Sequence, residues 1–242
     1  MSFELAAKAL GATTVDLSVA GSSVTKGESL IDTLRTLERT GVTTIVLRHS
    51  AAGAPHLAAR ATGLRVVNAG DGTHAHPTQA LLDALTLREA LGGLDGRRVA
   101  IVGDVVHSRV ARSNILCLTT LGARVRVAGP PHWVAGFGDA WPFVEVATSL
   151  DDALRDADAV MALRVQLERG AELKPEMVAW RLDEEHMARA RPGAFLLHPG
   201  PTNEGVELTA DLANGPRSLI GRQVENGVPV RMAVLALVTG AG

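Results

Sequence analysis

The chain has one cysteine, few aromatic residues, no run of basic residues and no long apolar stretch, and each shortage removes a class of protein. A lone Cys117 cannot close an internal disulfide, which fits a reducing, cytoplasmic setting. Aromatics make up 3% of the chain, too few for a base-stacking surface. Lys+Arg number 24 against 26 Asp+Glu, and nothing gathers the cations into the basic stripe that nucleic acid requires. No apolar run reaches the roughly 18 residues of a membrane span. The opening residues place Glu4 and Lys8 inside an apolar pattern, unlike a secretory leader. Neither the G-x-G-x-x-G loop of dinucleotide sites nor the G-x-x-x-x-G-K-[ST] phosphate loop occurs. A nucleic-acid partner, a membrane, and nicotinamide or ATP as cofactor all lack their usual signatures. No cofactor is expected.

What remains is a 242-residue, 46% hydrophobic chain, enough for one large core or two modest ones. Short β-branched runs at 43–47, 64–67, 98–102, 124–128, 157–162 and 194–197 alternate with helical patterns. Leu30, Ile31, Leu34 and Leu37 form one such pattern, closed by Gly41. Leu81, Leu82 and Leu85 form another after Pro77, and 228–238 reads as a last apolar helix. The stretch 129–143, rich in Gly, Pro and Trp, reads as a long loop. This alternation predicts an α/β fold with parallel sheets covered by helices on both faces. The Gly92-Gly93 pair is the candidate boundary between two such domains.

Ligands in such folds bind beyond the carboxyl ends of the strands. The residues following the predicted strands are accordingly informative. Arg48 and His49 follow the first, and Asn68, Asp71, His74 and His76 follow the second. Asp104 and Arg109 follow the third; Arg164 and Gln166 follow 157–162, and His198-Pro-Gly-Pro201 follows the last. Arginine binds carboxylate or phosphate through a planar fork that stays charged, so Arg48, Arg109 and Arg164 suggest a substrate with several negative groups. Surface salt bridges are the plainer reading of each. His76 stands just before Pro77 and a helix, whose positive end disfavours the imidazolium. A neutral imidazole there can donate one hydrogen bond to a carbonyl oxygen on which charge develops. A cap or a core histidine is the plainer reading. His74 and His76 could also be a metal pair, but no third ligand with recognisable spacing follows, and no metal is expected. Cys117 falls in mid-helix and reads as core rather than nucleophile. The polar stretch 22–28 would ordinarily be a solvated turn.

These residues together resemble the aspartate/ornithine carbamoyltransferase family. Asn68 to Gln79 (NAGDGTHAHPTQ) resembles its signature around His-Pro-Thr-Gln, with threonine as in the aspartate branch. Ser2 to Lys8, Lys26-Gly-Glu, Arg48-His-Ser, Gly103-Asp104 with Arg109, Arg164-Val-Gln166 and His198-Pro-Gly-Pro201 follow in the family's order. The resemblance implies two doubly wound domains. A carbamoyl-phosphate domain would span 1–92, truncated at its N-terminus and completed by a helix at 222–242, and an aspartate domain would span 93–221. It implies transfer of the carbamoyl group of carbamoyl phosphate to the amino group of L-aspartate, an early step of pyrimidine synthesis. Arg48, His76 and Gln79 would contact carbamoyl phosphate. Arg109, Arg164 and Gln166 would hold the aspartate carboxylates. Gly200 and Pro201 would lie where backbone carbonyls meet the carbamoyl NH2. Ser22 and Lys26 would reach a neighbouring subunit's site in a homotrimer, with a regulatory or dihydroorotase partner as a further possibility.

Two departures from the family pattern stand out. The family carries a Ser-Thr-Arg-Thr-Arg phosphate loop before the Ser-Phe-Glu helix, whereas Met1 opens this sequence on that helix, which predicts a weakened phosphate grip. Glu204 stands where related chains often have arginine. The alternatives are a non-catalytic relative that binds aspartate or a partner subunit, and a different transferase on the same scaffold.

Overall fold

The computed structural model describes residues 1–17, 29–165, 178–203 and 205–240. By their contacts these fall into two compact units: Met1–Thr78 with Gly227–Gly242, and Gln79–Asn226.

The first unit is built on two parallel strands, β1 (Thr44–His49) and β2 (Arg65–Asp71), paired from Thr44↔Arg65 to His49↔Asp71 with a register shift after Leu47. Side chains alternate along a strand, so each face can carry its own core. On one face, helices α2 (Leu30–Arg39) and α3 (Ala54–Ala61) bury Leu34 and Ala58 against Leu64, Ile45, Leu47 and Val66. Ser29 caps α2, its hydroxyl accepting from Asp32 N at 3.2 Å, and this is the kind of start an apolar helix needs. On the other face, Ala6 of α1 (Ser2–Ala9) and Leu235 of the C-terminal helix pack on Val67.

The second unit is a five-stranded parallel sheet, in the order β5 (Glu145–Val146), β4 (Arg124–Ala128), β3 (Arg98–Val102), β6 (Ala159–Ala162), β7 (Phe195–Leu197). Strand alternation divides its core cleanly. Val99, Ile101, Ala159, Met161 and Leu197 face a layer with Leu87 of α4 (Pro77–Leu91) and Ile115 and Leu118 of α5 (Arg109–Thr120). Ala100, Val102, Val160, Ala162 and Leu196 face the opposite layer. That layer holds α7 (Leu150–Leu154), α8 (Glu184–Met187) and α9 (Ala210–Asn214), through Leu154, Met187 and Leu212. The winding reverses between β3 and β6, and their carboxyl ends form the switch point at which open α/β sheets bind ligands.

The six sequence-predicted strands are all present, with β1 and β2 running on through Arg48, Asn68 and Asp71. Residues 129–143 are not a bare loop: a 3₁₀ turn (Pro131–Trp133) and α6 (Phe137–Ala140) bury Trp133 and Phe137, and β5 follows. The last helix, α10 (Ile220–Thr239), begins eight residues earlier than the apolar pattern at 228 suggests. In its first turns Arg222, Val224 and Glu225 are exposed, while the polar Gln223 and Asn226 are turned inward and buried. By contacts the compact units divide in the first turn of α4 and after Asn226. The reason is α4 itself: its Ala84 and Leu87 belong to the core of the second unit, and its Thr86 and Glu89 accept from Asn226 at 3.0 Å each.

Candidate active site

In the first unit the candidate groups sit at the carboxyl ends of both strands. Arg48 lies on β1 with its side chain exposed, and it makes no hydrogen bond or ion pair with a described residue. His76 is half-buried and immediately precedes Pro77, the first residue of α4. The segment between β2 and His76 is gathered on one fully buried carboxylate. Asp71 accepts from Gly53 N at 2.6 Å and stands 2.9 Å from His74 Nδ1 on one oxygen; on the other it accepts from Asn68 Nδ2 at 2.8 Å and Ala75 N at 3.1 Å. Burial alone would push this carboxyl up, but these bonds outweigh it and hold the group below the ordinary aspartate value. Gly72 closes the loop onto β1: its N–H donates to His49 O at 3.0 Å. Its φ is +46°, and an added Cβ would lie 2.9 Å from Ala52 N, so no other residue fits without movement. Arg48 and His76 are thus carried by two strand ends bound to each other. His74 is committed to Asp71, and among the described residues no group of three His, Cys, Asp or Glu is placed to hold a metal ion.

In the second unit the candidates lie at the carboxyl ends of β3, β6 and β7. Arg109 opens α5, half-buried, behind the cap Ser108, which accepts from Ala111 N at 3.1 Å. Arg164 follows β6 and is also half-buried. The two strand ends approach closely because Gly103 has no side chain: at φ +130° its Cβ would stand 2.9 Å from Leu163 Cβ. Gly200 and Pro201 are exposed beyond β7 and joined by a cis peptide. Gln79, on the first turn of α4, is buried, its amide nitrogen given to Asp83 at 2.9 Å. Cys117 lies on α5 facing inward; burial, and then the negative charge of Asp83, push its thiol up. That is the opposite of what activates a nucleophile. Ser22, Lys26, Gln166 and Glu204 lie outside the described residues.

The strand-end pattern points to Asp71 and His198 along with the arginines, but not to the buried polar residues behind them. Asp83, Asn114, Gln223 and Glu207 are all less than a tenth exposed. The available signal was polar residues on otherwise apolar helical and strand faces.

Two domain patterns match the chain. Residues 1–89 match the carbamoyl-phosphate-binding domain of aspartate/ornithine carbamoyltransferases, and residues 95–238 match their Asp/Orn-binding domain. The chain belongs to this family of carbamoyl-transferring enzymes. Among curated relatives it is 54% identical over 246 residues to an aspartate carbamoyltransferase catalytic subunit of Gluconacetobacter diazotrophicus, covering 100% of this chain and 76% of that one. It is 55% identical over 243 residues to the same subunit of Methylorubrum extorquens, covering 97% and 76%. Among solved structures, aspartate transcarbamoylase from Trypanosoma cruzi in complex with N-(phosphonacetyl)-L-aspartic acid superposes with a TM-score of 0.82 at 30% identity, covering 97% of this chain and 77% of that one. An ornithine carbamoyltransferase from Pyrococcus furiosus gives 0.88 at 29% identity, covering 99% and 80%.

Proposed function

We propose that this chain transfers the carbamoyl group of carbamoyl phosphate to the amino group of L-aspartate, releasing N-carbamoyl-L-aspartate and phosphate for pyrimidine synthesis. The observation that carries the reading is that Arg48, exposed and making no bond to a described residue, and His76 are carried on segments held together through Asp71 and Gly72. The relatives that are more than half identical in sequence point to aspartate rather than ornithine.

In the reaction the aspartate nitrogen, as a free amine, attacks the carbamoyl carbon. A new C–N bond forms, the carbonyl oxygen gains negative charge, and the C–O bond to phosphate then breaks as one proton leaves the amine. Arg48 and a neutral His76 donate to the developing oxyanion, fixed dipoles that need no reorganisation when charge appears. Arg109 and Arg164 take the two carboxylates, Gln166 assists them, and Gln79 with Gly200 and Pro201 orients the carbamoyl NH2. Holding two anionic substrates in contact supplies most of the remaining acceleration. A homotrimer, with Ser22 and Lys26 acting in a neighbouring subunit's site, extends the same proposal, as does a cytoplasmic setting. Carbamoyl-phosphate-dependent formation of carbamoyl-aspartate tests it. Product from aspartate and none from ornithine supports it, and the reverse preference overturns the substrate assignment.

A further inference from the structure

A buried polar chain runs through the second unit from Gln79 to Arg164's neighbour, and none of its inner members touches a proposed substrate position. It starts at Asp83, which is 0% exposed. Three amide donors converge on this carboxylate: Gln79 Nε2 at 2.9 Å and Gln223 Nε2 at 2.7 Å on one oxygen, and Asn114 Nδ2 at 2.8 Å on the other. An ionised carboxylate accepts only, and amide NH2 groups are its complement. Gln223 passes the order on, its Oε1 accepting from His198 N at 3.0 Å. His198 Nδ1 accepts from Gly200 N at 2.9 Å, which places the ring proton on Nε2; Glu207 Oε1 stands 3.1 Å from that nitrogen, out of line for a hydrogen bond. Glu207 accepts from Asn203 N at 2.5 Å, and Asn203 Nδ2 donates to Val165 O at 2.9 Å.

The consequence falls on Gln79. An amide side chain can present either its oxygen or its nitrogen, and the two ends have similar shape. With Nε2 committed to Asp83, the end left uncommitted is Oε1, which makes no bond to a described residue. We propose that Asp83 is a positioning residue which, by holding the nitrogen of Gln79, presents its oxygen as an acceptor for the carbamoyl NH2. Through Gln223 and His198 the same carboxylate fixes the Gly200 turn. Asp83 thereby selects a carbonyl phosphate that bears N–H donors over one that does not. The proposal rests on the carbamoyl-transfer reading and sharpens its substrate choice.

The test uses two probes of near-equal shape, carbamoyl phosphate and acetyl phosphate, the latter having methyl in place of NH2. The full protein is titrated with each and the ratio of dissociation constants is read. The wild type should prefer carbamoyl phosphate by about fivefold, the size of one net hydrogen bond. Asp83→Asn can turn its own nitrogen toward Gln79, release the amide to flip, and bring the ratio close to one. Gln223→Met cuts the chain while leaving Asp83 in place and should at least halve the preference. Asn226→Met is the control. It removes equally buried bonds between the same two helices, to Thr86 and Glu89, but lies off the chain, so it should lower thermal stability and leave the ratio as in wild type. A ratio unchanged in Asp83→Asn, or equal in Gln223→Met and Asn226→Met, overturns the proposal. Wild type that binds acetyl phosphate but not carbamoyl phosphate overturns the carbamoyl-transfer reading instead.

Discussion

Replacing Asp71 by asparagine changes one atom and should unfasten the loop that carries His76. The native carboxylate serves four groups: Gly53 N and His74 Nδ1 on one oxygen, Asn68 Nδ2 and Ala75 N on the other. An amide keeps one acceptor and turns an NH2 toward two existing donors. The half-exposed His74 can be rehydrated at little cost, but a part-buried backbone N–H, that of Gly53 or Ala75, is left without an acceptor. An orphaned buried donor costs about 1–3 kcal/mol. With the NH2 set against it, a loss of about 2–3 kcal/mol in local stability is expected, or about 30- to 150-fold faster exchange at the freed amide. Hydrogen exchange read by mass spectrometry over peptides covering 50–56 and 70–77 reports this directly. The acid behaviour provides a second reading. Asp71's folded pKa lies below the unfolded 3.8, so its contribution is complete above that value and fades as pH falls through the folded pKa. Wild type and variant should therefore differ most at neutral pH and converge on acidification. An exchange increase below threefold, or a difference that persists undiminished into strong acid, would refute the assignment of Asp71 as the anchor.

Three further outcomes are expected. Gly103→Ala places a Cβ 2.9 Å from Leu163 Cβ at a φ of +130°, and should destabilise the second unit by about 2 kcal/mol or more in urea titrations. All three tryptophans, Trp133, Trp141 and Trp180, lie in that unit, so fluorescence reports it selectively. Asp158 is pushed up by burial but held lower overall by Arg98 N, Arg191 and Arg97. Its stabilisation is present above pH 3.8 and lost as pH falls through the lower folded value, so Asp158→Asn should flatten the acid limb of the tryptophan-monitored unfolding curve. An unchanged limb would contradict this. Cys117, its thiol pushed up, should alkylate more slowly than free cysteine at pH 8, and Cys117→Ala should retain carbamoyl transfer.

The sequence makes the strands legible because strands of parallel sheets are short apolar runs, and here all six such runs pair. It draws attention to Arg48, Arg109 and Arg164 because they lie at or after the carboxyl ends of predicted strands, where such folds bind ligands. Residues 129–143 were harder. Helices of three or four residues carry no period, and burial here comes from distant contacts: Phe137 packs into the sheet core, and Trp133 packs on Val165 and Val206. The start of α10 was hidden for a related reason: Gln223 and Asn226 look like surface residues until their partners, 140 positions away, are known. Periodicity reports which face is apolar, and a buried face that is polar escapes it.

That blind spot is where the functional logic of the fold lies. An arginine that is to bind an anionic substrate must not be neutralised by a carboxylate of its own protein, yet the loops that carry such arginines need strong acceptors to hold them in place. The fold meets both needs by burying the acceptors and surrounding them with amide donors. Asp71 is enclosed by two backbone amides, Asn68 and His74, and Asp83 by Gln79, Asn114 and Gln223. Each carboxylate spends its lone pairs on the scaffold, and in the first unit Arg48 is left exposed with no described acid beside it. Substituting an amide donor such as Asn68 should therefore impair the site by two routes. It loosens the loop, and it leaves Asp71 Oδ1 with Ala75 N as its one remaining donor among the described residues, free to turn toward a nearby cation.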